Sequence, residues 1–119
     1  MSTPPRLSSP MRILLVDDNR DAALSLAMVL KLLGAEVRVA HDGQEALEAF
    51  EAVDPSVVLL DIGLPGMDGY EVARRLRAAY PERSTALVAL TGWAEEEHRR
   101  RAREAGFEHH LVKPAEIDT

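Results

Sequence analysis

The chain has 119 residues, 46% of them apolar, which is long enough for one domain with its own core and too short for two. It contains no cysteine, so disulfides, thiolate metal sites and cysteine nucleophiles are excluded, and the composition suits a reducing cytoplasm. A formal charge of -6 argues against a nonspecific nucleic-acid binder, and the longest apolar stretches, such as Ile13 to Val16 and Val57 to Leu60, fall far below the roughly 20 residues of a membrane-spanning helix.

Met1 to Pro10 holds three Pro and three Ser without an apolar centre, so residues 1–10 read as a tail or linker ahead of a single domain over 11–119. A first strand is predicted over Arg12 to Val16. Asn19 can cap a first helix whose Leu24, Ala27, Met28 and Leu30 give a broad apolar face, and Gly34 stops it. A second strand follows over Val37 to Ala40. Asp42 with Glu45 then has the spacing of a capping box and opens a second helix. The third strand is Val57 to Leu60, and Asp68 with Glu71 opens a third helix in the same manner. The fourth strand is Ala86 to Leu90. The fourth helix, Ala94 to Ala105, carries Glu95, Glu96 and Glu97 at its positive end and Arg99, Arg100, Arg101 and Arg103 toward its negative end. It lacks a strong apolar stripe, so it is expected to be exposed and weakly anchored. The fifth strand, His109 to Val112, ends at Lys113 and Pro114. Nearly continuous apolar strands alternating with helices predict an α/β fold with a parallel sheet covered on both faces.

The residues that carry chemistry stand at strand ends. Asp17 and Asp18 follow the first strand and Asp61 follows the third. In a doubly wound sheet these positions line one crevice beside the topological switch point. Two carboxylates at about 4 Å repel by roughly 4 kcal/mol at an effective dielectric of about 20, so the cluster needs either a cation or a change in protonation. Oxygen donors without sulfur or imidazole favour Mg2+, with Mn2+ as the other candidate. Asp17, Asp18 and Asn19 taken alone more readily describe a loop that caps a helix. Thr91 and Lys113 place a hydroxyl and an ammonium at the ends of the fourth and fifth strands. An anionic nucleophile, a metal and fixed donors are the parts that phosphoryl transfer requires. By itself, Thr91 is as readily a helix cap, and Lys113 alone reads first as a solvated surface lysine.

Four motifs occur in order: ILLVDDN over Ile13 to Asn19, VVLLDIGLPGMDGYE over Val57 to Glu71, ALTGW over Ala89 to Trp93, and LVKP over Leu111 to Pro114. Together they resemble the response regulator receiver family of two-component signalling, over Arg12 to about Pro114. The resemblance implies a flavodoxin-like, doubly wound five-stranded parallel sheet in the order 2-1-3-4-5. It implies Asp61 as phosphoacceptor, Asp18 as a direct magnesium ligand, Asp17 as a ligand acting largely through water, and Gly63 as the contributor of a backbone carbonyl. Thr91 and Lys113 would hold phosphoryl oxygens. Pro65 and Gly69 match the shaped loop after the acceptor. The implied partner is a sensor histidine kinase or a histidine phosphotransfer domain, and the lead segment with GFEHHLVKP is similar to receivers of hybrid sensor kinases. Such a protein promotes its own phosphorylation and dephosphorylation but is not a turnover enzyme.

Two departures from the family pattern stand out. His110 occupies the switch position three residues before Lys113, usually aromatic, and would act there with Thr91. Only Ala115 to Thr119 follow Pro114, where the family continues into a final helix, so that helix is expected to be missing, with part of one sheet face bare and with self-association or low stability as the consequence. A degenerate receiver, working as a phosphorylation-independent interaction module, is the alternative. The set Asp17, Asp18, Asp61, Thr91 and Lys113 argues against it. An aspartyl-phosphate phosphatase would need a second acid two residues after the nucleophile, where Gly63 stands.

Overall fold

Strand and helix alternate strictly in a computed structural model that describes residues 11–64, 66–91 and 96–112. The order is β1 (Arg12–Val16), α1 (Arg20–Leu32), β2 (Glu36–Ala40), α2 (Gly43–Val53), β3 (Val57–Asp61), α3 (Gly69–Ala79), β4 (Ala86–Thr91), α4 (Glu96–Ala105) and β5 (His109–Val112). All neighbouring strands are parallel, in the order β2-β1-β3-β4-β5. The expected sheet and strand order are therefore both present.

Alternation along each strand divides the core in two. Leu14, Val16, Val58, Leu60, Leu87 and Ala89 pack on one face with Phe50 of α2, Val72 and Leu76 of α3, and Ala102 and Ala105 of α4. Ile13, Leu15, Leu59, Val88 and Leu90 occupy the other face with Ala23 and Ala27 of α1. The sheet face expected to lie partly bare is covered at the first strand, where Ile13 and Leu15 are both buried within that second cluster. The residues after Val112, and so the expected loss of a final helix, lie outside the described residues.

The helix boundaries have local causes. Asn19, Asp42 and Asp68 each accept a hydrogen bond from a backbone N–H three residues on, as the sequence predicts. Gly34, at φ +102°, ends α1 with its N–H on the Lys31 carbonyl, while Ala35 N–H bonds to the Leu30 carbonyl, an arrangement that only glycine enters without strain. The packed face of α1 matches the expected one at Ala27 and at Leu30, which packs partly buried against the second cluster, but not elsewhere. Ala23 and Ala27 are buried, whereas Leu24, Met28 and Leu32 are 60%, 57% and 86% exposed. Apolar residues occur nearly all round this helix, so periodicity alone cannot choose the stripe that meets the sheet. Helix α4 is anchored better than its composition predicts, because Ala102 and Ala105 are small enough to lie flat in the main core. Among the described residues, no helix is long and apolar enough to cross a membrane.

Candidate functional site

The strand register brings the acids together. Val16 of β1 pairs with Leu60 of β3, so Asp17 and Asp61, each one residue later, stand side by side at the carboxyl edge of adjacent strands. Strands β1 and β3 flank the switch point, since the chain leaves β1 toward β2 on one side and returns to β3 on the other. One carboxylate oxygen from each of Asp17, Asp18 and Asp61 lies within 4.8 Å of the others. Asp17 and Asp61 are 3% and 7% exposed, and Asp18 is exposed.

Both buried acids are aimed by their own loops. Asn19 N–H donates to Asp17 Oδ1 at 3.0 Å, and Gly63 N–H donates to Asp61 Oδ1 at 3.0 Å. A backbone donor two residues on fixes each carboxylate in a local turn. The N–H of Asp17 also donates to the Ala40 carbonyl, and that of Ile62 to the Leu90 carbonyl, which extends the sheet one residue past each strand. Gly69 closes the acceptor loop by donating its N–H to the Ile62 carbonyl at 2.8 Å.

Three carboxylates this close repel by about 3 to 4 kcal/mol per pair at an effective dielectric of about 20. All donors in the set are oxygens, two of them buried and pre-aimed, and this suits a hard divalent cation such as Mg2+. Gly63, expected to lend a carbonyl, is exposed beside the cluster and engages Asp61 through its N–H. Thr91 ends β4 in register with Val112 of β5, so its backbone reaches the same edge of the sheet. Lys113, Pro65 and Trp93 lie outside the described residues, as do the side chains of Thr91 and His110. One residue beside the acids carries no signal in the sequence. His41, directly after β2, places Nδ1 3.0 Å from the Asp17 carbonyl oxygen. Its place is set by strand pairing, which no local motif reveals.

A five-stranded doubly wound parallel sheet with three carboxylates converging at its switch point defines an α/β protein of the doubly wound class. Residues 13–119 match the family model of the response regulator receiver domain, and the chain belongs to that family. It is 38% identical over 110 residues to transcriptional regulatory protein TrcR of Mycobacterium tuberculosis, covering 92% of this chain and 42% of TrcR. It is 34% identical over 122 residues to virulence sensor protein BvgS of Bordetella bronchiseptica, covering 98% of this chain and 10% of BvgS. The chain thus spans less than half of either relative. Among solved structures, chemotaxis protein CheY4 of Vibrio cholerae superposes with a TM-score of 0.85 at 28% identity, covering 89% of this chain and 88% of that one.

Proposed function

We propose that this receiver, over residues 11–119 behind a tail or linker of residues 1–10, accepts a phosphoryl group on Asp61 from a phosphohistidine. The donor is a sensor histidine kinase or a histidine phosphotransfer domain. The observation that carries this reading is the convergence of Asp17, Asp18 and Asp61 at the switch point, with Asp61 buried and aimed by Gly63.

An oxygen of Asp61 forms a bond to phosphorus as the phosphorus–nitrogen bond breaks and the donor imidazole departs on the opposite side, leaving an acyl phosphate. Asp17 and Asp18, with Asp61 and the Gly63 carbonyl, would hold Mg2+. When bound, the cation supplies the positive charge that offsets the acids and the phosphoryl oxygens. Thr91 and Lys113 would hold the remaining phosphoryl oxygens with a hydroxyl and an ammonium. Drawing Thr91 toward the phosphoryl group would open space for His110 and shift α4, which turns a covalent event into a changed partner surface.

Replacement Asp61→Asn is expected to abolish labelling by acetyl phosphate with magnesium present. Undiminished labelling of that variant would remove Asp61 as the acceptor, whereas a wild-type chain that takes no label would point to a phosphorylation-independent interaction module.

A further inference from the structure

His41 has no part in the reaction as proposed, yet it touches the acidic loop directly. Its Nδ1 lies 3.0 Å from the Asp17 carbonyl oxygen. A carbonyl oxygen only accepts, so Nδ1 carries the proton and donates. The neighbouring N–H of Asp17 donates to the Ala40 carbonyl at 3.0 Å, so β2 and the residue after it grip Asp17 on both sides. His41 is braced in turn. Its backbone N–H donates to Glu45 Oε1 at 2.6 Å, and Glu45 is fixed in the first turn of α2 by its own N–H on Asp42 Oδ1 at 2.8 Å.

The carbonyl that His41 holds belongs to the peptide joining Asp17 to Asp18. The orientation of that peptide determines the direction in which Asp18 leaves the strand. Asp18 is the exposed member of the trio, and like-charge repulsion pushes it outward from the two buried acids. A fixed peptide reduces the cost of keeping it at the site.

We infer that His41 is a positioning residue for the cation site, with Nδ1–H locking the Asp17–Asp18 peptide so that Asp18 is presented beside Asp17 and Asp61. This rests on reading those acids as a magnesium site. A histidine that merely tidies a loop would leave magnesium affinity unchanged.

The test is a magnesium titration of the full chain, followed by Trp93 fluorescence and by melting temperature, in wild type, His41→Ala and His41→Asn. The asparagine amide places a donor where Nδ1–H stands. His41→Ala is expected to weaken magnesium binding roughly three- to ten-fold, as loss of one supporting hydrogen bond near a metal does. His41→Asn is expected to recover most of that loss. With acetyl phosphate, the defect belongs in the magnesium concentration needed for half-maximal labelling, not in the rate at saturating metal. If the alanine variant does not fold, His41→Gln, whose longer side chain carries its amide past the Nδ1 position, is expected to bind as weakly. Unchanged affinity in the alanine or glutamine variant, or a loss in the asparagine variant equal to that in the alanine or glutamine variant, overturns the positioning role. A wild-type chain that takes up no magnesium overturns the metal-site reading itself, before any His41 variant is compared.

Discussion

A Cβ added to Gly69 would stand 2.6 Å from the Asp61 carbonyl oxygen and 2.7 Å from Ile62 Cα, both of them backbone atoms with nowhere to move. Gly69→Ala is therefore expected to cost about 1 to 3 kcal/mol in urea denaturation, as overpacking does, and to slow labelling of Asp61 by displacing its loop. The next residue gives a pH signature. Tyr70 is buried, with the Arg101 guanidinium 4.5 Å from its ring centre and Phe107 edge-on at 6.5 Å. Burial raises its pKa above the ordinary value, the Arg101 charge opposes that rise, and Asp68 adds to it. An acid whose folded pKa is raised binds its proton more tightly when folded. The stability it contributes is fully present below about pH 10 and is lost as pH rises through the folded value. The denaturation midpoint should fall as pH rises above about 10, and Tyr70→Phe should lack that component of the fall. Equal falls in both proteins would remove Tyr70 from the account.

Among the elements, the join between α3, β4 and the turn before β5 depends on one side chain. Arg77 donates to the Thr85 carbonyl at 2.9 Å and to the Gly106 carbonyl at 2.9 and 3.2 Å, and it pairs with Glu108 at 3.2 Å. Glu108 also accepts from Leu87 N–H, so the link continues into β4. The ion pair is half open to water and contributes little, whereas the backbone carbonyls lose charged donors if Arg77 is removed. Arg77→Ala is expected to cost about 1 to 3 kcal/mol by urea titration, and Glu108→Gln clearly less. Equal costs would shift the weight to the ion pair. This link is invisible in the sequence because its partners are backbone atoms brought together by the fold. The caps Asp42 with Glu45 and Asp68 with Glu71 are legible because their bonds close within three or four residues. The strands are legible as short apolar runs between caps. The packed face of α1 is legible only in part, at Ala27 and Leu30, because Leu24 and Met28 are at least as apolar as the buried Ala23, and sheet geometry admits the smaller side chain. In the site, Asp17, Asp18 and Asp61 could be placed from strand ends alone. His41 could not, since its contact requires the register of Val16 against Ala40.

For the molecule as a whole, a cation held at the acidic site as proposed would put folding and binding in one balance. Folding brings Asp61 to Asp17 and Asp18 from far along the chain, within 4.8 Å, so the folded state bears a repulsion that the unfolded chain escapes. A divalent cation that binds the converged acids binds only the folded state, and stability then rises with its concentration. Above the dissociation constant the gain is about 1.4 kcal/mol for each tenfold increase in magnesium. Screening by salt is a weaker effect, because two of the three acids are buried away from mobile ions. Asp61→Asn should do two opposite things. Without magnesium it should stabilise the fold by only about 1 kcal/mol, because the relief of repulsion is largely offset by the charged acceptor that the Gly63 N–H loses, and with magnesium it should blunt the rise in stability. Urea titrations of both proteins across a magnesium series, against sodium chloride at matched ionic strength, separate these effects. A wild-type response that sodium chloride reproduces would mean that the acids act through general screening and hold no specific cation.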